Sequence, residues 1–194
     1  MPQDVYIYNP IIPVPKYIRH AEIPEGITVI REDAFRRCSR LQSVVIPDSV
    51  TEIGAGAFYD CSALRSVTIP DSVTKIGGQA FYNCYGLRSL TISDGVTEIG
   101  ERTFYGCNLL QSVTIPGGIT EIPKAAFWGC SGLQSVTIPD GVTKIGVAAF
   151  GECSGLRSVT IPKSVTGIGE YAVKPHTTKV RVLPISAYFS TLPL

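Results

Sequence analysis

The stretch L-Q-S-V-V-I-P-D-S-V-T-E-I-G-A-G-A-F-Y-D-C-S-A, running from Leu41 to Ala63, decides the fold because the chain keeps returning to it. Cys38, Cys61, Cys84, Cys107, Cys130 and Cys153 fall 23 residues apart, and Phe35, Phe58, Phe81, Phe104, Phe127 and Phe150 keep the same step. A fixed period of this size marks a solenoid, in which a unit too small to bury its own apolar face stacks on its neighbours. Each unit offers about eight core side chains worth roughly 1.5–3 kcal/mol apiece when buried, against about 1–2 kcal/mol of backbone ordering per residue. The array therefore folds as one object.

Within a unit, Leu64, Val67 and Ile69 make an L-x-x-V-x-I pattern that turns alternate side chains inward and leaves Ser66 and Thr68 outward, as in a short strand. Pro70, Asp71 and Ser72 supply turn chemistry, Val73 and Ile76 bring apolar side chains back to the core, and Gly77 ends the segment. Ala80, Phe81 and Cys84 have the i, i+1, i+4 spacing of a single helical or 3₁₀ turn. Ile23, Ile46, Ile69, Ile92, Ile115, Ile138 and Ile161 mark about seven turns. At the ~4.8 Å spacing of neighbouring strands they make a rod on the order of 30 Å long.

The form L-x-S-V-T-I-P-x-x-V-T-x-I-G-x-x-A-F-x-x-C resembles the BspA-like, Treponema-type class of leucine-rich repeats over residues 23 to about 173. The resemblance implies a right-handed superhelix with short parallel β-strands on its concave face and short helical or 3₁₀ turns on the other. It also implies recognition of protein or glycan rather than chemistry, and it names no ligand.

Three regions follow. Residues 1–20 are Pro-rich and read as an N-terminal arm or cap, with Val5, Ile7, Ile11 and Ile12 available to pack on the first turn. Residues 21–173 are the solenoid. The pattern decays once Val173 replaces Phe; residues 174–194 hold a degenerate last repeat, where His176 replaces Cys, and then an apolar tail, 183–194, expected to cap the last turn or dock into a partner.

With 17 Lys+Arg against 16 Asp+Glu the net charge is +1, and the chain lacks the basic stripe that nucleic-acid binding requires. The first 20 residues have no basic leader, Pro10, Pro13 and Pro15 interrupt any signal helix, and no Asn-x-Ser/Thr acceptor occurs. These features favour an intracellular location, with the cell surface or secretion as the alternative if a leader was trimmed. No run approaches transmembrane length.

The six cysteines could suggest a metal, a disulfide or a nucleophile. Ligands in one column lie in a line rather than around a tetrahedron, so neither a metal nor any cofactor is expected. Parallel stacking holds successive Cβ atoms about 4.8 Å apart, where a bridge needs about 3.8 Å. A nucleophile needs a nearby base, and the two histidines, His20 and His176, stand at opposite ends. The thiols read as buried, reduced core residues and the chain as a non-enzyme.

Function is expected in the outward columns. The residue after each Phe gives Arg36, Tyr59, Tyr82, Tyr105, Trp128 and Gly151, and its four successive aromatics, Tyr59, Tyr82, Tyr105 and Trp128, form the preferred protein-binding stripe. The alternative is the strand lattice of Ser66, Thr68, Ser89, Thr91, Ser112, Thr114, Ser135 and Thr137, which suits an ice- or glycan-binding surface. Two polar columns, Gln42, Arg65, Arg88, Gln111, Gln134 and Arg157, and Glu52, Lys75, Glu98, Glu121 and Lys144, read as solvated edges. The sequence thus points to a recognition or scaffold solenoid with a protein partner, or a structural subunit of a larger assembly, with a BspA-type cell-surface adhesin as a further alternative.

Overall fold

Two strands and one chain of turns make up each coil. The computed structural model describes residues 5–173 and the strand Lys179–Val182; the apolar tail and His176 lie outside the described residues. The first sheet gathers Ser43–Val45, Ser66–Ile69, Ser89–Ile92 and their equivalents, and the second gathers the two-residue strands Glu52–Ile53, Lys75–Ile76, Glu98–Ile99 and theirs. All pairing among the described strands is parallel, and between the first and last pairs it advances by one repeat: Ser66 aligns with Ser89, Val67 with Leu90, and Glu52 with Lys75. About six coils are complete, because the coil after Ile161 offers Val173 where the others have Phe and joins Phe150 through an isolated bridge. No helix among the described residues is long and apolar enough to cross a membrane.

The segment expected to be helical is instead a run of turns. Left-handed residues bracket every Phe at two positions on either side: Asp33 and Arg37 around Phe35, Gln79 and Asn83 around Phe81, Arg102 and Gly106 around Phe104. Such residues stop a right-handed helix at once. The amides then alternate. Ala34, Arg36 and Cys38 close local turns onto Arg31, Asp33 and Phe35, while Asp33, Phe35 and Arg37 donate to the carbonyls of Ala55, Ala57 and Tyr59 in the next coil. The turn side is thus hydrogen-bonded from coil to coil, as the sheets are.

Inside, the Phe rings stack at 5.1–5.5 Å along the axis and are fully buried. The six thiols are buried and free. From Cys61 on, each donates to the carbonyl of the Phe in the preceding coil, Cys61 to Phe35 at 3.1 Å and Cys153 to Phe127 at 3.1 Å. The column therefore satisfies carbonyls as well as filling space.

The N-terminal residues form a short coil in which Val5 registers on His20, only 15 residues later. Its core contacts come from Tyr8, Val14 and Ile18, with the Tyr8 ring 5.3 Å from Phe35. Val5, Ile7, Ile11 and Ile12 are exposed, contrary to expectation. Val5 and Ile7 occupy the outward strand positions, while Asn9 folds the chain by accepting from the Ile11 amide.

One seam interrupts the second sheet, between Glu98–Ile99 and Glu121–Ile122. Gly54, Gly77, Gly100, Gly146 and Gly169 let their coils close up, since a Cβ at any of them would come within 2.3–2.6 Å of backbone in the preceding coil. Each also donates its amide to that coil, as Gly77 does to Ile53 at 2.7 Å. The equivalent residue in the fourth unit is Pro123, which has both a Cβ and no N–H. Among the described residues the bond to the Ile99 carbonyl and the Thr120 bond to Thr97 are missing there, though both recur at the other coils. Across the turn side the same coils remain joined, Phe104 donating to Ala126 at 2.8 Å.

Candidate functional site

The two outward features singled out in the sequence lie on different sides of the rod. Tyr59, Tyr82, Tyr105 and Trp128 form one stack on the turn side, with centroids 4.7, 4.6 and 4.5 Å apart and planes within 14°. The Arg36 guanidinium covers the first ring, 4.2 Å from the Tyr59 centroid, and is held by Asp33 at 3.0 Å, which pushes its pKa up. At the far end Trp128 lies over Gly151, where a Cβ would stand 2.7 Å from the indole. Every ring face is thus covered from within, and the half-buried stack shows solvent only its edges. Burial, and then the neighbouring Tyr105 hydroxyl, raise the Tyr82 pKa, as expected for phenols in a row.

Two apolar residues beside the ridge were not apparent in the repeat pattern. Tyr85, 44% exposed, and Leu109, 42% exposed, stand where other coils have Ser62 and Gly86. Burial and the nearby Asp60 carboxylate push the Tyr85 pKa up. Reading the deviations from the consensus, rather than the consensus itself, would have found both.

The strand lattice lies on the first sheet. Ser66, Thr68, Ser89, Thr91, Ser112, Thr114, Ser135 and Thr137 are all exposed, and register brings Ser66 beside Ser89, Thr68 beside Thr91, Ser112 beside Ser135 and Thr114 beside Thr137. The pairing is not continuous, because no ladder joins Ser43–Val45 to Ser66–Ile69, Ser89–Ile92 to Ser112–Thr114, or Ser135–Thr137 to Ser158–Ile161, although each pair is adjacent.

Charge separates the faces further. On the second sheet signs alternate along the stack: Lys75 lies 3.9 Å from Glu52 and 3.7 Å from Glu98, and Lys144 lies 2.8 Å from Glu121. Only at the seam do Glu98 and Glu121 follow one another. The ridge is likewise neutralised locally, by Arg36 with Asp33 and Arg37 with Asp60.

The first sheet has a different arrangement. Along its entrance edge run Arg19, Gln42, Arg65, Arg88, Gln111, Gln134 and Arg157; along its exit edge run Glu25, Asp48, Asp71, Asp94, Gly117, Asp140 and Lys163. Backbone bonds hold Arg65 to Gln42 and Arg88 to Arg65 in register. Among the described residues, Arg19, Arg65 and Arg88 form no ion pair, nor do Glu25, Asp48, Asp71, Asp94 and Asp140. Like charges one strand apart repel by about 1 kcal/mol in water. The face thus has a basic rail, a hydroxyl floor and an acidic rail.

The chemistry available elsewhere is limited. No group of three or more His, Cys, Asp or Glu able to hold a metal occurs among the described residues. Burial drives the thiol pKa values of Cys61, Cys84, Cys107, Cys130 and Cys153 upward, away from the reactive thiolate. His20 is at the N-terminal end, 2.8 Å from the Ser43 hydroxyl.

Comparison with known proteins agrees with this architecture. The family model of the BspA type leucine rich repeat region, six copies long, matches residues 15–134 and 51–180. A leucine rich cell surface protein from Faecalibacterium prausnitzii has a similar structure, with TM-score 0.76 and 37% identity over 93% of this chain and 47% of its own. A leucine-rich repeat protein from Bacteroides ovatus gives TM-score 0.74 and 29% identity over 78% of this chain and 39% of its own. The Treponema pallidum leucine rich repeat protein gives TM-score 0.70 and 27% identity over 94% and 80%. The chain thus spans less than half the length of the first two. No curated protein matches it.

Proposed function

The chain belongs to the BspA-type leucine-rich repeat family, and from that premise we propose that it is a non-enzymatic protein-recognition solenoid that meets its partner through the first sheet. One observation carries the reading. Ion pairs lie on the ridge and the second sheet, whereas Arg19, Arg65 and Arg88 on one edge of the first sheet and Glu25, Asp48, Asp71 and Asp94 on the other form none. A surface that keeps like charges adjacent relieves their repulsion when a complementary surface covers it.

This moves the recognition face from the aromatic column to the strand side. Rings that stack on one another have no faces left for a partner or for the sugar planes of a glycan. Their contribution is to stiffen the rod. Charged rails also fit a protein partner better than ice, whose lattice offers no counter-charge to either.

A photo-reactive residue placed at Thr91, and separately at Tyr105, tests the assignment in the source cells. Adducts with another polypeptide from position 91 and none from position 105 are expected. Adducts from position 105 alone would return the site to the ridge.

A second reading places this recognition at the cell surface, as an adhesin. The 37% identity to a protein described as a leucine rich cell surface protein favours it. Protease treatment of intact cells should then remove the protein; full protection behind an intact envelope would dismiss a surface role.

A further inference from the structure

We propose that the first sheet is self-complementary and pairs face to face with the first sheet of a second copy, across a two-fold axis parallel to the axis of the rod. The proposal rests on the reading above, that the first sheet is the recognition face, and goes beyond it by naming the partner.

Symmetry and register specify the pairing. In every coil the basic and acidic rail positions are six residues apart, as in Arg65 and Asp71. A two-fold axis along the rod reverses the strand direction and preserves the order of the coils. It therefore lays each basic rail on the acidic rail of the same coil in the other copy, so that residue i meets j and j meets i. Arg19 then faces the second copy's Glu25, Arg65 its Asp71 and Arg88 its Asp94. A two-fold axis along the strands would instead set like rails together. The coils of Gln42, Gln111 and Gln134 contribute no ion pair, and like charges, Arg157 and Lys163, oppose each other only in the last coil.

Shape permits the contact. The rings of the turn side repeat at 4.5–5.5 Å, close to the ~4.8 Å spacing of strands, and no helix stands among the described turns to wedge the coils further apart behind the sheet. Six steps of ~3.3 Å separate the rails by about 20 Å, and seven strands cover about 30 Å. The face is then about 600 Å² per copy, somewhat below the roughly 800 Å² per partner of a standard stable interface. The pairing is accordingly reversible, and its charge contacts weaken with salt.

Sedimentation velocity on the purified chain, over nanomolar to hundred-micromolar concentrations, tests this directly. Wild type should dimerise in low salt and fall back to monomer in about 1 M salt, where the Debye length is only about 3 Å. Arg65→Asp with Arg88→Asp, and separately Asp71→Arg with Asp94→Arg, should each lose about tenfold or more in association. An equimolar mixture of the two should recover a heterodimer, since every reversed residue then meets an opposite charge. Circular dichroism checks the fold, and Arg65→Gln with Arg88→Gln is the milder substitute should a reversal unfold it.

A wild type that stays monomeric overturns the pairing, as does a dimer indifferent to either reversal or a mixture that fails to associate. A monomer that still forms an adduct with a different polypeptide from position 91 overturns the pairing and leaves the recognition reading standing. Absence of any adduct from position 91 removes both.

Discussion

The turn side and the strand side of this rod use their outward residues differently. On the turn side an Arg, three Tyr and a Trp stack into a ridge whose faces are all covered, and its charges are paired at 3.0 and 3.9 Å. On the strand side, hydroxyls lie in aligned rows between edges on which Arg65 and Arg88, and Asp71 and Asp94, form no ion pair. The same repeat produces both. The difference teaches that stacking identical positions stabilises aromatic columns, which gain a partner on each side, and destabilises columns of one charge, which gain only repulsion. A column kept despite that repulsion is the better place to seek a partner.

The largest expected effect bears on the core beneath the ridge. Burial raises the folded-state pKa of the thiols at Cys38, Cys61, Cys84, Cys107, Cys130 and Cys153. Their unfolded value is about 8.5. A raised folded pKa means that this contribution to stability is fully present below pH ~8.5 and is lost as pH rises above it. Each strongly shifted thiol costs about 2 kcal/mol by pH ~10. Several together rival the roughly 5–15 kcal/mol of a whole domain. Urea melts across pH should be flat up to about pH 8 and then collapse, and Cys84→Ala with Cys107→Ala should blunt the fall.

Next comes the contrast itself. Tyr82→Ala breaks two ring stacks at once and should lower stability by about 2–4 kcal/mol. Thr91→Ala on the strand side should stay within about 0.5 kcal/mol. Chemical denaturation of both variants measures the gap, and equal losses would erase the distinction between the faces.

A smaller and local effect is expected at the seam. Pro123→Gly restores a donor toward the Ile99 carbonyl and removes the Cβ that holds the coils apart. Hydrogen exchange should slow at residues 120–123 with little change in the turns at 102–106, which are already bonded across the seam. The smallest effect is that of salt. At concentrations low enough to keep the chain monomeric, screening the rails should raise thermal stability by less than about 1 kcal/mol, and the Arg65→Gln, Arg88→Gln variant should respond less.

Much of this arrangement was legible in the sequence because a 23-residue period fixes neighbours without any knowledge of backbone angles. The strands, the inward Leu, Val and Ile, the Phe and Cys spines and the exposed Ser and Thr rows all follow from it. The form of the turns does not. Arg37, Gln79, Arg102 and Ala148 give no hint that they adopt left-handed angles, and the spacing of Ala80, Phe81 and Cys84 suits a helix equally well. Such angles are imposed by the bonds to the next coil, which a local pattern does not contain.

The ridge shows the same limit. Four aromatics in a column look like a binding stripe, and only the folded chain shows that they stack face to face, the observation from which we propose a buttress instead. The rails were legible in principle, as Arg65 and Arg88 on one edge and Asp71 and Asp94 on the other. Their meaning depended on which other charges found partners, and that only the folded chain displays.

Carboxylate footprinting tests the central claim most directly. The protein is labelled with a carbodiimide in its native assembly and again after purification under dissociating salt. The account predicts that Asp48, Asp71 and Asp94 are protected in the assembly, while Asp33 and Asp60 beside the ridge label equally in both. Protection confined to Asp33 and Asp60, with the acidic rail fully labelled throughout, would contradict it.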